Sequence, residues 1–278
     1  MEIKCQQVGE YSLCYQEGEL LRQNIRLLYP YVDKFVVVIG QVEISQCNPL
    51  LTDQVSARSI RTLEDPLKKI IVIDFNVYES KEDMTKLAMS FLVADIVIQL
   101  DSDEFWPIDV LLKAVSEIES GADRVLIDHL IYFRSVRNIL SHETIGDFYF
   151  SPARAWRRIE DATLGHYSGS WQHDDRTIIS RDVFLTNPLF IHHLGWVSKN
   201  QIKRKLNFYG RGRGYKMPPF KLFKFWVLPR MLKTLITMGP NNVRIVSNRN
   251  TRPSLEILDV LKNFSSHKPF SKSENHIA

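Results

Sequence analysis

The clearest chemistry in this sequence lies in four consecutive polar residues, Asp101, Ser102, Asp103 and Glu104, which follow an apolar run ending at Leu100. Carboxylate oxygens are the ligands that hard divalent cations such as Mg²⁺ and Mn²⁺ prefer. A turn at this point lets both aspartates reach one ion, and such an ion can bridge a diphosphate and offset its charge. The alternative is an ordinary acidic turn at a strand end, but its place after a buried strand favours the metal site.

A second group of candidate ligands is the histidine pair in the segment IHHLGWV, residues 191–197. Imidazole binds transition metals well, so His192 or His193 could complete the site that the aspartates begin. Two adjacent histidines on a strand cannot easily both face one ion, so one of them is expected to pack in the interior.

The pattern of apolar residues predicts the elements that position these side chains. Helices are predicted over 17–29 and 110–120, and strands over 34–40, 68–75, 96–105 and 123–133, with a long connection over 41–67. The strands are continuous β-branched runs, which is typical of parallel strands buried on both faces. Strands alternating with helices predict an α/β domain with a mostly parallel sheet, whose ligands bind at the carboxyl ends of the strands.

Composition excludes several classes of protein. The chain has 278 residues, of which 44% are hydrophobic, and its three cysteines are too few for a disulfide scaffold. The sequence has no run of about 20 apolar residues, so no membrane span is predicted. The first residues lack the pattern of a secretory signal. A cytoplasmic protein is expected.

Charge is distributed unevenly along the chain. From Lys199 onward there are 17 Lys and Arg against three Asp and Glu, a net charge of +14, whereas residues 1–198 hold 19 against 29, a net charge of −10. A basic region of this kind favours phosphates, which a nucleotide, a nucleic acid or an anionic membrane surface could present. No recognised nucleic-acid motif is present, so a nucleic-acid partner is not expected.

Taken together, the motifs resemble those of family 2-like glycosyltransferases. The resembling segments are residues 17–40, residues 97–106 with the D-x-D-E motif, and residues 193–205 with a late H-x-G-W-V motif. The resemblance covers roughly residues 10–205 and implies a GT-A fold, the fold of nucleotide-diphospho-sugar transferases, with a mostly parallel central sheet flanked by helices.

The resemblance also implies roles for particular residues. Asp101, Asp103 and His193 match the positions that hold a Mn²⁺ or Mg²⁺ ion against the donor's diphosphate. The second strand ends in Ile39-Gly40 where many members have Asp-Gly, which leaves the nucleotide, UDP or GDP, open. The residues expected to contact the donor are Glu17, Glu43, Lys86, Ser102 and Lys199.

An inverting enzyme of this family needs a carboxylate that takes a proton from the acceptor hydroxyl. Asp174 and Asp175, in the segment WQHDDR, lie upstream of His193 and are the candidates. Either one could instead be a loop or helix-capping residue.

Three regions are predicted: a catalytic domain over 1–205, a basic, aromatic helical extension over 206–262, and a disordered tail over 263–278. Within the extension, residues 220–238 could lie on an anionic membrane surface or pack on the catalytic domain. Trp106, Trp156, Trp171 and Trp196 suit stacking on sugar rings, although core packing is the commoner use of tryptophan.

The expected function is therefore metal-dependent transfer of a sugar from a UDP- or GDP-sugar to a hydroxyl of a glycan, a lipid-linked acceptor or a small molecule, with inversion favoured. A non-catalytic nucleotide- or carbohydrate-binding protein on the same fold is the alternative.

Overall fold

A computed structural model of the chain describes residues 6–14, 18–42, 59–133, 138–140, 152–165, 169–173, 176–177, 181–186, 188–197, 201 and 245–247. The described helices are α1 (Gly18–Leu28), a 3₁₀ turn (Ser59–Thr62), α2 (Lys81–Phe91) and α3 (Ile108–Glu119). The described strands are β1 (Val8–Cys14), β2 (Lys34–Val42), β3 (Ile70–Tyr78), β4 (Ile96–Gln99), β5 (Glu104–Phe105), β6 (Arg124–Ile127), β7 (His129–Phe133), β8 (Asn138–Leu140), β9 (Ala153–Arg157), β10 (Thr163–Gly165), β11 (Ser170–His173), β12 (Arg176–Thr177), β13 (Asp182–Leu185), β14 (Ile191–Trp196) and β15 (Ile245–Ser247).

A seven-stranded sheet forms the centre of the fold, in the order β13-β6-β9-β4-β1-β2-β3. Strands β4, β1, β2 and β3 run parallel to their neighbours within this group. Strand β9 is inserted antiparallel between β4 and β6. Because the parallel strands end at one edge, side chains that follow them are brought together there.

Helices cover both faces of this sheet, as the continuous apolar strands require. On one face, α1 and α3 bury residues such as Ile25 and Val110 against the strands. On the other face, α2 buries Met84 and Ala88 beside Trp156. The apolar stripe of α1 thus fixes the helix whose Asn24 side chain donates to the Glu104 carbonyl at 3.0 Å.

A second, five-stranded sheet has the order β15-β8-β7-β14-β5. Strand β14 runs parallel to β7 and antiparallel to the two-residue strand β5. This pairing joins the late histidine segment to the turn after β4. A third, three-stranded sheet is formed by β10, β11 and β12.

The predicted fold class, an α/β fold with a mostly parallel central sheet flanked by helices, is confirmed. The prediction of one strand over 123–133 was wrong, because the chain passes from the central sheet to the second sheet at Asp128. The Asp128 amide donates to the Leu185 carbonyl, and its own carbonyl accepts from Ile191. β6 therefore belongs to the central sheet and β7 to the second sheet.

Most of the predicted extension and tail lies outside the described residues. Its described part, Ile245–Ser247, is a strand paired antiparallel with β8. Among the described helices, none is long and apolar enough to cross a membrane.

Candidate functional site

The acidic turn follows the carboxyl end of β4, in the middle of the central sheet. The Leu100 amide donates to the Tyr11 carbonyl on β1, which holds the end of β4 in register. The Glu104 amide then donates to the Asp101 carbonyl at 2.9 Å, closing a tight turn over Ser102 and Asp103. The side chain of Asp101 is 23% exposed and that of Asp103 is 12% exposed. Asp101 is therefore partly exposed, whereas Asp103 is largely buried.

Strand β14 brings His193 to this turn across 90 residues of sequence. Its register places His193 opposite Glu104, and the Leu194 amide donates to the Asp103 carbonyl at 2.7 Å. His193 Nε2 lies 3.7 Å from Asp103 Oδ2. The second sheet thus supplies a nitrogen donor beside one of the two predicted carboxylate ligands.

His192 has a different environment from its neighbour. Its ring is buried and stacks on Tyr132 with ring centroids 5.7 Å apart, and the Tyr132 hydroxyl oxygen lies 2.8 Å from His192 Nδ1 in a hydrogen bond. Burial lowers the pKa of His192 to about 4, so the ring is neutral near pH 7. His192 packs in the interior, which leaves His193 as the histidine beside Asp103.

A buried arginine joins the two outer carboxylates of the turn. Arg154, on β9, donates from Nη2 to Asp101 Oδ2 at 3.0 Å and to Glu104 Oε1 at 2.6 Å. Burial alone would lower the pKa of the guanidinium, but the charges of Glu104 and Asp101 outweigh burial and raise it. Arg154 is therefore a permanent cation within the acidic turn.

Glu104 is fully buried beneath the turn and has a second partner, His129 on β7. His129 Nε2 lies 3.0 Å from Glu104 Oε1, and Nδ1 lies 2.9 Å from the Ile127 carbonyl. Burial by itself raises the pKa of Glu104, yet the charge of Arg154 together with the contact to His129 outweighs burial, and the net shift of the pKa is downward. Glu104 is thus an ionised carboxylate that supports the turn from below.

Asp101 is also oriented from the other side, by a chain of hydrogen bonds that begins on β1. The Tyr11 hydroxyl donates to Gln99 Oε1 at 2.7 Å, and Gln99 Nε2 donates to Asp101 Oδ1 at 3.1 Å. Since the amide oxygen is engaged by Tyr11, only the amide nitrogen is left to face Asp101. Both oxygens of Asp101 therefore accept hydrogen bonds from side chains.

The charges of this cluster do not cancel. The three carboxylates of Asp101, Asp103 and Glu104 face the cation Arg154 and the ring of His129. With the rings of His129 and His193 counted as neutral, three carboxylates against one guanidinium give a formal charge of −2. A net negative site at the edge of a sheet attracts a further cation.

A divalent ion fits part of this donor set. Within the described residues there is no group of three His, Cys, Asp or Glu side chains that could hold a metal ion. Asp103 Oδ2 and His193 Nε2, 3.7 Å apart, are close enough to bind one ion, because metal–ligand distances are about 2.0–2.2 Å. Mg²⁺ in particular is commonly held by one or two protein groups together with substrate phosphates. The pair therefore suits an ion that takes its other ligands from a diphosphate and water.

The remaining predicted site residues are distributed as follows. Ser102 is buried in the turn between the two aspartates, and Lys86 is exposed on α2. Five predicted residues lie outside the described part of the chain: Glu17, Glu43, Lys199, Asp174 and Asp175.

Arg154 and His129 were missed by sequence reasoning. Arg154 lies 50 residues beyond the turn. The alternation of apolar and polar side chains around it is compatible with a strand but does not indicate which strands pair with it. Nothing in the sequence indicates that this strand is inserted beside β4. His129 offered a weak signal, as a histidine within an apolar run.

No protein-family model matches the chain, and no curated protein matches it. Among solved structures, the chain is similar to a mannosyltransferase from Pyrobaculum calidifontis in complex with GDP-Man and Mn²⁺ (TM-score 0.46, 15% identity, 78% of this chain and 67% of that chain). It is also similar to TarS of S. aureus (TM-score 0.40, 14% identity, 79% of this chain and 42% of that chain). A third similar structure is the inositol-1-phosphate CTP transferase of T. maritima (TM-score 0.44, 13% identity, 77% of this chain and 99% of that chain). At these scores and identities, the comparisons decide neither the reaction nor the substrate.

Proposed function

We propose that this chain is a glycosyltransferase that moves a sugar from a UDP- or GDP-sugar to a hydroxyl group of a glycan, a lipid-linked acceptor or a small molecule, with a divalent ion in the donor site. The observation that carries the proposal is the meeting of Asp103 and His193 at the carboxyl edge of a parallel sheet. Ligands of such sheets bind at this edge. The resemblance of the sequence motifs to those of family 2-like glycosyltransferases favours a nucleotide-sugar as that ligand.

In this proposal Asp103 and His193 would hold a Mn²⁺ or Mg²⁺ ion. Asp101 is the third residue that the motifs predict as a ligand, and in the structure its two oxygens accept hydrogen bonds from Gln99 and Arg154. A bound ion of this kind supplies positive charge that stabilises a leaving nucleoside diphosphate. The remaining work falls to the protein's own side chains. Glu104 and Arg154 hold the turn in shape, and the backbone bond from Leu194 to Asp103 fixes the histidine strand against it.

Further contacts to the donor are proposed for Ser102 and Lys86, and for Glu17, Glu43 and Lys199. Asp174 or Asp175 is proposed to take the proton from the acceptor hydroxyl as its oxygen attacks the anomeric carbon. An attack from the face opposite the leaving diphosphate gives inversion, which is the outcome that the proposal favours. The basic residues 220–238 are proposed to bring the enzyme to an anionic membrane surface.

The first test is donor binding. Calorimetric titration of UDP and GDP in the presence of Mn²⁺ should show binding of one of them by the wild type. Asp103→Asn and His193→Gln should each weaken it by about tenfold or more, because each removes a metal ligand. Glu119→Gln is the matched control, since Glu119 is an exposed carboxylate at the far end of α3 and should leave the affinity unchanged.

The second test is sugar release, measured as hydrolysis across a panel of UDP- and GDP-sugars with Mn²⁺. Release that is lost in Asp103→Asn supports the transferase. Nucleotide binding without release from any donor, also with acceptor sugars present, would favour the non-catalytic binding protein. Equal nucleotide binding by the wild type, Asp103→Asn and His193→Gln would contradict the placement of the site.

A further inference from the structure

Arg154 bridges two of the three carboxylates in the acidic turn, Asp101 and Glu104. Its Nη2 reaches Asp101 and Glu104 at once, and its Nε lies 3.2 Å from each oxygen of Glu104. The side chain is only 12% exposed. Two of the three carboxylates in the turn are therefore already engaged by a built-in cation.

We propose that Arg154 is a positioning residue that makes the hold of this site on a divalent ion depend on the nucleotide. It withholds Asp101 and Glu104 from a free ion, which is left with Asp103 and His193. The phosphate oxygens of the donor then supply the ligands that the protein does not. The inference rests on the proposed function, and it adds a residue whose role the sequence motifs do not indicate.

Charge and geometry both support this role. Guanidinium–carboxylate bonds that use two donors are among the strongest hydrogen bonds in proteins, and those to Glu104 lie in a buried, weakly screened site. A free ion would have to displace Arg154 to gain Asp101 or Glu104. With only two protein ligands on offer, the ion keeps most of its water and binds weakly.

A purely structural arginine would behave differently. Glu104 has His129 as a second partner, so Arg154 is not its sole source of hydrogen bonds. If Arg154 served stability alone, replacing it would change the unfolding temperature and leave the free ion's affinity as it was. If Arg154 withholds ligands, removing its charge leaves three carboxylates within one turn and the affinity for a free ion rises.

The experiment is a titration of Mn²⁺ followed by electron paramagnetic resonance, which counts free ion and needs no turnover. In the wild type, adding UDP or GDP should tighten Mn²⁺ binding by about tenfold or more, as for other coupled sites. Without nucleotide, Arg154→Gln should bind Mn²⁺ about tenfold more tightly than the wild type. Arg154→Lys keeps the positive charge and should stay close to the wild type.

A double-mutant cycle identifies the released ligand. The gain of Arg154→Gln should vanish in Asp101→Asn/Arg154→Gln, whereas Asp101→Asn alone should leave nucleotide-free Mn²⁺ affinity unchanged. Tight nucleotide-free binding by the wild type, or a loss of it in Asp101→Asn, would overturn the proposal. So would equal affinities in Arg154→Gln and Arg154→Lys.

The two proposals can fail separately. If neither UDP nor GDP binds, the proposed function fails, while the nucleotide-free comparison still decides the role of Arg154. If Arg154→Gln does not fold, Asp101→Asn in the background of an intact Arg154 decides it, because its side chain is partly exposed and its removal spares the buried pair. Glu119→Gln again serves as the unchanged control.

Discussion

At the scale of single residues, the site combines two kinds of carboxylate. Asp103, whose side chain is 12% exposed, lies beside His193, while Glu104 is fully buried and held by Arg154 and His129. In the proposed function Asp103 meets the ligand, and Glu104 fixes the turn that presents it. The D-x-D-E motif would then contain both a binding residue and its support.

Glu10 shows a buried carboxylate without such support. It lies on β1 in the interior of the central sheet and accepts a hydrogen bond from Ser12, while its Oε2 has no hydrogen-bond partner within the described part of the chain. Burial raises the pKa of Glu10 from 4.5 to about 8, although the bond from Ser12 opposes the shift. Near pH 7 the side chain is therefore protonated in the folded protein and ionised in the unfolded one.

The stability of the protein should depend on this proton. Between about pH 4.5 and pH 8 the folded state binds the extra proton, so the contribution of Glu10 is fully present below pH 4.5 and is lost as pH rises to about 8. The isostere in Glu10→Gln cannot ionise and should remove this loss. Urea unfolding at about pH 5 and about pH 8 should show wild type losing more stability than Glu10→Gln, by on the order of a few kcal/mol.

All other titratable groups are common to the wild type and Glu10→Gln, so their contributions to the pH dependence of stability cancel in the comparison. Parallel pH profiles for the wild type and Glu10→Gln would show that Glu10 is not protonated in the folded state.

At the scale of elements, the sequence predicted strands better than their partners. The β-branched runs at β2 and β4 were predicted and are present, because a buried parallel strand has a distinctive composition. The change of sheet at Asp128 could not be predicted, since β6 and β7 form one uninterrupted strand pattern. Arg154 was missed for the same reason: its role comes from the insertion of β9 beside β4, which is a property of topology.

The tryptophans show the same limit. Trp106, Trp156 and Trp171 suited sugar stacking in sequence, but all three are buried in the fold. The indole nitrogens of Trp156 and Trp171 donate to backbone carbonyls, at Gly169 and Arg157. These rings are core residues, and composition alone could not distinguish the two uses.

The sequence shows a glycine at position 40 in strand β2, and the structure explains why a side chain does not fit there. A Cβ at this position would lie 2.3 Å from the ring of Tyr78 and 2.7 Å from the Asn76 carbonyl oxygen, where the pairing of β2 with β3 shifts register. Gly40→Ala should destabilise the fold by about 1–3 kcal/mol, as overpacking does. Chemical denaturation of the purified variant measures this cost.

The double variant Gly40→Ala/Tyr78→Ala provides the control for that prediction. In the Tyr78→Ala background the loss of stability caused by Gly40→Ala should be smaller than in the wild type, because the clash with the ring is gone. It should not disappear, because the clash with the Asn76 carbonyl oxygen is with the backbone. A stability of Gly40→Ala equal to that of the wild type would mean that β2 and β3 are not packed in this register.

At the scale of the whole molecule, the candidate site draws its residues from two sheets, and charge is distributed unevenly along the sequence. Neither sheet alone forms the site, since the central sheet supplies the acidic turn and Arg154 while the second sheet supplies His193 and His129. Residues 1–198 have a net charge of −10, and the rest of the chain has a net charge of +14. The basic part of the sequence is attracted to an anionic surface, whereas the acidic part is repelled by it.

That charge distribution predicts binding to anionic membranes through the basic segment. Co-sedimentation should show binding to phosphatidylglycerol vesicles but not to phosphatidylcholine vesicles, and binding should weaken from about 50 to about 300 mM salt because the attraction is screened. Replacing Lys221, Lys224 and Lys233 by Glu should weaken it further, at about 1 kcal/mol for each cation lost near the surface.

The matched control replaces three lysines within residues 1–198, Lys81, Lys86 and Lys113, by Glu, and should bind vesicles as the wild type does. Equal loss of binding in both triple variants would indicate a general charge effect. No binding in any condition would favour packing of residues 220–238 on the rest of the chain.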